Sequence, residues 1–321
     1  MVPKAGSVAI QILSEVRSGR IAAVFERSFY IDFHGRLVCF GDASIGNGPL
    51  NVLPGRNWRA IGLRVGDSVL VDGAVVSIDG CRVFEIDAAD VWTMPEQPAE
   101  PDAALVTGKL ETIVQSMHPF MPADGLASLI GHPCTAAHGD PLLQFVSRPF
   151  DALKRWLTRC LDCARNRVTA PPGELGKLIG AGPGLTPSGD DLLIGVMATL
   201  HRLEKYRMLA RLSNCIHAEL GHRTNPISAA HLVAAMDGLA GESMVMVIDE
   251  LIFAPRTDAE RLARELDRIG ATSGWDSFVG IVVVLEAWAN GCLAGRQNSH
   301  TEPLSIGSID DTGTCIKGVT T

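Results

Sequence analysis

The sequence has no cluster of lysine and arginine, no apolar run approaching a membrane span and no ordered cysteine framework, and each absence narrows its function. Its net charge of −8 comes from acidic and basic residues mixed along the whole chain. No basic stripe exists to neutralise a row of phosphates, so nucleic acid is not an expected partner. The longest apolar stretches, Leu192–Leu200 and Phe278–Leu285, end at His201 and Glu286. A membrane span needs roughly 20 residues, so both read as buried helices and no membrane partner is expected. Met1–Ser7 carries a single lysine and no apolar core, so a secretory signal is not expected. The eight cysteines are scattered among other core material, which fits reduced thiols and a cytoplasmic location better than disulfides.

What is present is ordinary globular material. The 321 residues, 46% of them apolar, can bury one large core or two moderate ones, and the length favours two. The expected fold class is α+β. A small β-barrel or sandwich-like region is expected over residues 1–95, a linker at 96–102, a mainly helical region over 103–295 and a loose tail at 296–321. After an amphipathic stretch at Val8–Arg17, strands are predicted at Ser28–Phe33 and Arg36–Phe40, around a tight turn at His34-Gly35. Three more, Val69–Val71, Ala74–Ile78 and Arg82–Ile86, are separated by Asp72-Gly73 and Asp79-Gly80, dipeptides that tolerate positive φ. Met94–Asp102 holds three prolines and three acidic residues and reads as the linker. Beyond it the apolar spacing turns helical, as at Phe150, Leu153, Trp156, Leu157 and Leu161. Later helices are predicted at Pro187–Leu203, Arg207–Leu220, Ser228–Leu239, Met244–Ile252, Asp258–Ile269 and Phe278–Ala294.

The one well-marked polar constellation is a glycine-rich turn entering a helix. Gly180-Ala181-Gly182-Pro183-Gly184-Leu185 leads into Thr186-Pro187-Ser188-Gly189-Asp190-Asp191 and then an apolar helix. Thr186 is a natural N-cap and Pro187 a natural first helical residue. Such a helix start offers free N–H groups and a partial positive charge, so Gly182, Gly184, Thr186, Ser188 and Gly189 are candidate contacts for a small anion. Asp190 and Asp191 would repel that anion unless a cation or neutral donor intervenes. They either hold Mg²⁺ through one carboxylate and water or accept from an amide or ureido N–H; a bland reading has them simply favouring the helix dipole. No lysine stands where a Walker loop needs one, and no strand precedes Gly180 as in a Rossmann fingerprint, so ATP is not expected.

Two further polar segments precede apolar helices. In the first, Arg223 suits a carboxylate or phosphate, Thr224 and Asn225 follow it, and Ser228 is placed to cap. In the second, Ser273, Gly274 and Asp276 lead into Phe278–Leu285. Each alone is more often a cap than a ligand site; their company favours one shared pocket. Cys160-Leu161-Asp162-Cys163 has zinc-like spacing but sits in an amphipathic helical pattern without a second pair, so core packing is expected. His217, His222 and His231 show no metal-ligand spacing, and no G-x-S-x-G elbow is present.

The run G-P-G-L-T-P-S-G-D-D at Gly182–Asp191, with Arg223–Ser228 and Ser273–Asp276 downstream and Gly48-Pro49-Leu50 in the β part, resembles the AllH family over Arg20–Gly295. The chain departs from the commoner pattern in having Leu192 where phenylalanine usually follows the aspartates, a change in the core. The resemblance implies a subunit of the oxamate carbamoyltransferase of anaerobic allantoin use, and thus of purine nitrogen catabolism. In that reaction oxamate and carbamoyl phosphate exchange with oxalurate and phosphate. It implies partner subunits and a small anionic substrate; a homo-oligomer stays open, and Mg²⁺ through Asp190 and Asp191 is the one cofactor in view. On this reading Asp190, Asp191 and Arg223 are the catalytic candidates. Helix-start N–H groups and Arg223 would hold phosphate oxygens, and one aspartate the carbamoyl NH₂. Two other readings remain: a non-catalytic anion-sensing or assembly subunit, favoured by the lack of an obvious histidine or cysteine nucleophile, and a Mg²⁺-dependent phosphotransferase.

Overall fold

A computed structural model describes residues 4–55, 58–86, 90–130, 139–162 and 167–299. The turn-forming dipeptides organise the β region. β3 (Ser28–Phe33) and β4 (Arg36–Gly41) meet at His34 and Gly35, which take φ of 56° and 92°. β6 (Ser68–Asp72), β7 (Val75–Ile78) and β8 (Cys81–Glu85) follow as a meander, with Asp79 and Gly80 at φ 47° and 77°. β2 (Ser18–Val24) joins the two hairpins, pairing with β3 on one side and β6 on the other. Three very short strands, β1 (Lys4–Gly6), β5 (Asn51–Leu53) and β9 (Val91–Trp92), complete one nine-stranded sheet in the order β8-β7-β6-β2-β3-β4-β5-β1-β9. The sheet curls into a half-barrel. Its core stacks Phe29 on Phe40 and Phe84, and α1 (Ser7–Glu15) lays Ala9, Ile12 and Leu13 against it.

The rest is helical: α2 (Ala103–Met117), α3 (Pro141–Leu161), α4 (Ser188–Arg202), α5 (Tyr206–His217), α6 (Leu220–Arg223), α7 (Pro226–Met236), α8 (Glu242–Phe253), α9 (Ala259–Ile269) and α10 (Ser273–Ser299). α4 is buried on all sides, as a helix without a polar face must be. It crosses α10 closely at two glycines: a Cβ on Gly195 would lie 2.0 Å from the Ser277 carbonyl oxygen, and one on Gly280 2.2 Å from that of Leu192. Over Ser273–Ala294 α10 is long and apolar enough to cross a membrane, yet it forms the centre of the helical core, where its residues Phe278–Leu285 are all buried.

Several boundaries differ from the sequence expectation. α10 begins at Ser273, so Ser273–Asp276 is its first turn rather than a lead-in, and it continues past Gly295 to Ser299. The remainder of the expected tail, 300–321, lies outside the described residues, as does Cys163. Cys160 is buried in the helical core with its Sγ 3.5 Å from the Thr169 hydroxyl.

The two regions are fastened together. Arg202, itself buried, pairs with Asp249 at 2.6 and 2.7 Å and donates to the Pro95 and Glu96 carbonyls, which pins the expected linker to α4 and α8. α7 serves both cores, giving Ala234 to the β side and Leu232 and Ala235 to the helical side. The Glu242 N–H donates to the Asn47 carbonyl and the Asn47 amide to the Glu242 carboxylate, at 2.9 and 2.8 Å.

Candidate functional site

Between these regions lies a cavity of about 390 Å³, walled by β3, β4 and the 45–51 loop on one side and by the starts of α4 and α10, with α7 and α8, on the other. It is of the size of small-molecule pockets. It shares Arg27, Glu242, Ser243 and Arg268 with a wider, more open recess of about 780 Å³.

The three buried aspartates at this junction have separate surroundings. Asp190 faces away from the cavity into the glycine turn. Its carboxylate accepts from the Gly180 N–H at 2.8 Å, from the Ser228 hydroxyl at 2.7 Å and from the Thr224 hydroxyl. Burial raises its pKa and these three donors oppose the rise. Asp276 accepts from the Leu126 N–H at 2.6 Å through Oδ1, tying the 121–130 segment to α10, while its Oδ2 is buried without a hydrogen-bond partner among the described residues; burial raises its pKa, and the Leu126 N–H with the nearby Ser188 and Thr272 hydroxyls opposes the rise. Only Asp191 lines the cavity. It is 5% exposed, and its Oδ2 is buried without a hydrogen-bond partner among the described residues. Burial, with the charges of Asp276 and Asp190, pushes its pKa well above the usual carboxylate range; the Ser273 and Thr186 hydroxyls oppose this. Ser277, on the next face of α10, also lines the cavity with a buried, unpartnered hydroxyl. Asp191 and Ser277 thus form a polar floor with unsatisfied hydrogen-bonding capacity.

A carboxyl with a raised folded-state pKa makes a specific pH prediction. Below the ordinary value of 3.8 Asp191 is protonated in both states, and the stability it retains there is lost as pH rises through the folded pKa. Asp191→Asn should therefore melt higher than the parent at neutral pH, by about 2–4 °C for each kcal/mol recovered. Thermal melts should show that gap closing as the pH approaches 4; a gap constant across the range would contradict the assignment.

The glycine turn does something other than expose helix-start N–H groups. Gly182 and Gly184 take φ of 114° and 94°, as a sharp turn requires. However, the Gly189 N–H donates to the Ala181 carbonyl at 2.8 Å, and those of Asp190 and Asp191 donate to the Pro187 carbonyl at 2.8 and 3.1 Å. The N-cap position belongs to Pro187 rather than Thr186, and α4 begins at Ser188. Thr186 instead meets Ser273 across the cleft, hydroxyl to hydroxyl at 2.8 Å. Asn225, not Ser228, caps α7, accepting from the Ile227 and Ser228 N–H groups, and its amide donates to the Leu185 carbonyl. Gly189 and Gly274 allow close packing on the Leu178 and Leu266 carbonyls.

Arg223 lies outside the cavity, exposed and ion-paired at 2.6 Å with Glu219 one helical turn earlier. Asp190 and Asp191 turn to different partners. Among the described residues no group of three or more His, Cys, Asp or Glu side chains is arranged to hold a metal ion, so the pair does not fit a shared Mg²⁺.

The sequence reading passes over several residues that line the cavity, among them Tyr30, Cys39 and Arg27, and weighs His231 only as a metal ligand. Tyr30 and His231 meet across it, hydroxyl to Nε2 at 3.2 Å. Burial lowers the His231 pKa to about 4, so the ring is neutral, and raises the Cys39 thiol to about 11, so it stays protonated. Arg27, Asn47 and Arg268 contribute from outside the three polar helix starts. Only the Asn47 loop had a local signal, the turn-forming Gly46-Asn47-Gly48-Pro49.

Two family models match the chain. The model described as oxamate carbamoyltransferase subunit AllH matches residues 178–285, and that of the AllH family N-terminal domain matches residues 4–91. No solved structure matches it. The first match spans all of α4 and the first half of α10, the second nearly the whole sheet, so the cavity is walled by both matched segments.

Proposed function

Because the chain belongs to the AllH family, we propose that it is a carbamoyltransferase subunit that binds a small anionic, amide-bearing ligand such as oxamate, oxalurate or carbamoyl phosphate in the cleft above Asp191. The observation that carries this reading is the unpartnered Asp191 Oδ2 on the floor of that cavity. A buried polar atom without a partner costs stability, and a ligand that satisfies it recovers that cost on binding. For carbamoyl transfer the floor would orient an NH₂ group, and positioning of this kind accounts for much of the catalysis such a reaction needs. The polar groups come from side chains at the approach to α4 and its start, Thr186 and Asp191, and near the start of α10, Ser273 and Ser277.

A second reading has a specific observation in its favour. The titratable groups beside the floor, His231 and Cys39, are held in their neutral forms. The cleft therefore offers no obvious nucleophile, which suits a subunit that binds the ligand or assembles partners without turning it over.

Thermal stability of the protein, alone and with its partner subunits, against oxamate, oxalurate, carbamoyl phosphate and inorganic phosphate tests the site. Ligand at a hundred times its dissociation constant should add about 2.7 kcal/mol, and Asp191→Ala should abolish most of the gain. Stability unmoved by every ligand, or an undiminished gain in Asp191→Ala, would sink the proposal. Turnover lost with binding retained separates a catalytic subunit from a sensing one.

A further inference from the structure

We infer that the cleft takes its ligand in one orientation, with a neutral primary amide or ureido group on the Asp191–Ser277 floor and a carboxylate or phosphate at the rim on Arg27, a residue of the β region. This rests on the cleft being the ligand site. The floor presents one carboxyl oxygen and one hydroxyl, both buried and both without partners among the described residues. A primary amide offers N–H and C=O together, so it pairs with a carboxyl whether that carboxyl is ionised or protonated. A second carboxylate pairs only with the protonated form, and an anionic group would meet the like charges of Asp190 and Asp276 close behind the floor. The inner end of the cleft therefore favours an uncharged hydrogen-bonding head over an anionic one.

The rim selects the opposite chemistry. Arg27 lines both the cavity and the open recess, is exposed, and its guanidinium has no ion-pair partner among the described residues. Arg268, the other guanidinium lining the cavity, is already paired with Glu265 at 2.7 Å. Two carboxylates share the rim. Glu242 is taken by the Asn47 amide, and Glu26 is the chain neighbour of Arg27, so the rim is not a general positive field. What Arg27 adds is a forked donor set that matches a carboxylate or phosphate edge. An amide-to-carboxylate ligand spanning floor and rim would thus be gripped by both regions of the chain, and the β region would set its specificity.

Titration calorimetry on the full chain with oxamate, oxamide and oxalate tests the orientation. These probes carry one amide and one carboxylate, two amides, and two carboxylates. The parent should bind oxamate at least tenfold more tightly than either of the others. Arg27→Gln should weaken oxamate about tenfold while leaving oxamide unchanged, and its melting temperature should stay that of the parent because Arg27 is exposed. Asp191→Ala, which removes both acceptor and donor, should weaken oxamate and oxamide together and spare oxalate. If Arg27→Gln leaves oxamate binding intact, or weakens oxamide equally, the orientation is overturned while the cleft reading stands. If the parent binds none of the three, the cleft reading falls and the orientation with it.

Discussion

Asp190→Ala is expected to lose about 3 kcal/mol, since it strands the Gly180 N–H and the Thr224 and Ser228 hydroxyls in a buried site with no acceptor. In melting temperature that is roughly 6–12 °C. The loss should be nearly independent of added ligand, because Asp190 faces the glycine turn and not the cavity. Its carboxylate joins two segments that are distant in sequence: the Gly180 turn and the junction of α6 with α7. Without it the 180–186 loop has little to hold it against α7, apart from the Asn225 amide on the Leu185 carbonyl. Asp190→Asn keeps the shape and one carbonyl oxygen, and both hydroxyls can reverse to accept from its NH₂, so it should recover more than half of the loss. Denaturant unfolding of the two variants checks this. Equal losses in Asp190→Ala and Asp190→Asn would mean that the charge, not the acceptor geometry, matters there. Ligand binding abolished in a folded Asp190→Asn would return Asp190 to the functional site.

Gly195→Ala should cost about as much, near 3 kcal/mol, by a different route. The added methyl meets the Ser277 carbonyl oxygen at 2.0 Å, and that atom is backbone, so only a displacement of α10 relieves the clash. Gly280→Ala pushes the same pair of helices apart from the other side, toward the Leu192 carbonyl and the Val196 N–H. Because both act on one interhelical distance, the double variant should lose less than the sum of the single ones. The displacement also reaches the ligand site, since Ser277 and Asp191 sit on the two helices being separated. Each glycine variant should therefore weaken ligand binding as well as stability, whereas Asp191→Ala should weaken binding and Asp191→Asn should raise stability at neutral pH. Strictly additive losses would show that the two glycines are not sharing one contact.

The opposite signs expected at Asp190 and Asp191, adjacent in the chain, show where a sequence reading stops. From sequence the two carboxylates are equivalent members of a helix's first turn. Successive helical residues point about 100° apart, which here sends Asp190 toward α7 and Asp191 toward α10 and the sheet. The partners that satisfy Asp190 lie 34 and 38 residues away, and the donor to Asp276 lies 150 residues away. No local pattern encodes those distances. The Arg223–Glu219 pair is the contrary case, since an i, i+4 spacing is readable in sequence and competes with any ligand for the guanidinium.

By itself the sequence determined the class of the fold, the hairpins and most of the helices, because turn dipeptides, caps and apolar periodicity act within a few residues. It also determined the family, through the ten-residue run at Gly182–Asp191. Tertiary structure alone decided that the short strands β1, β5 and β9 complete the sheet, since strands of two or three residues carry no period. It alone decided which aspartate faces a cavity, and that Arg27, Tyr30 and Asn47 of the β region form the opposite wall. Those choices depend on how two cores meet along α7, and a meeting of surfaces is a property of the folded chain rather than of any segment within it.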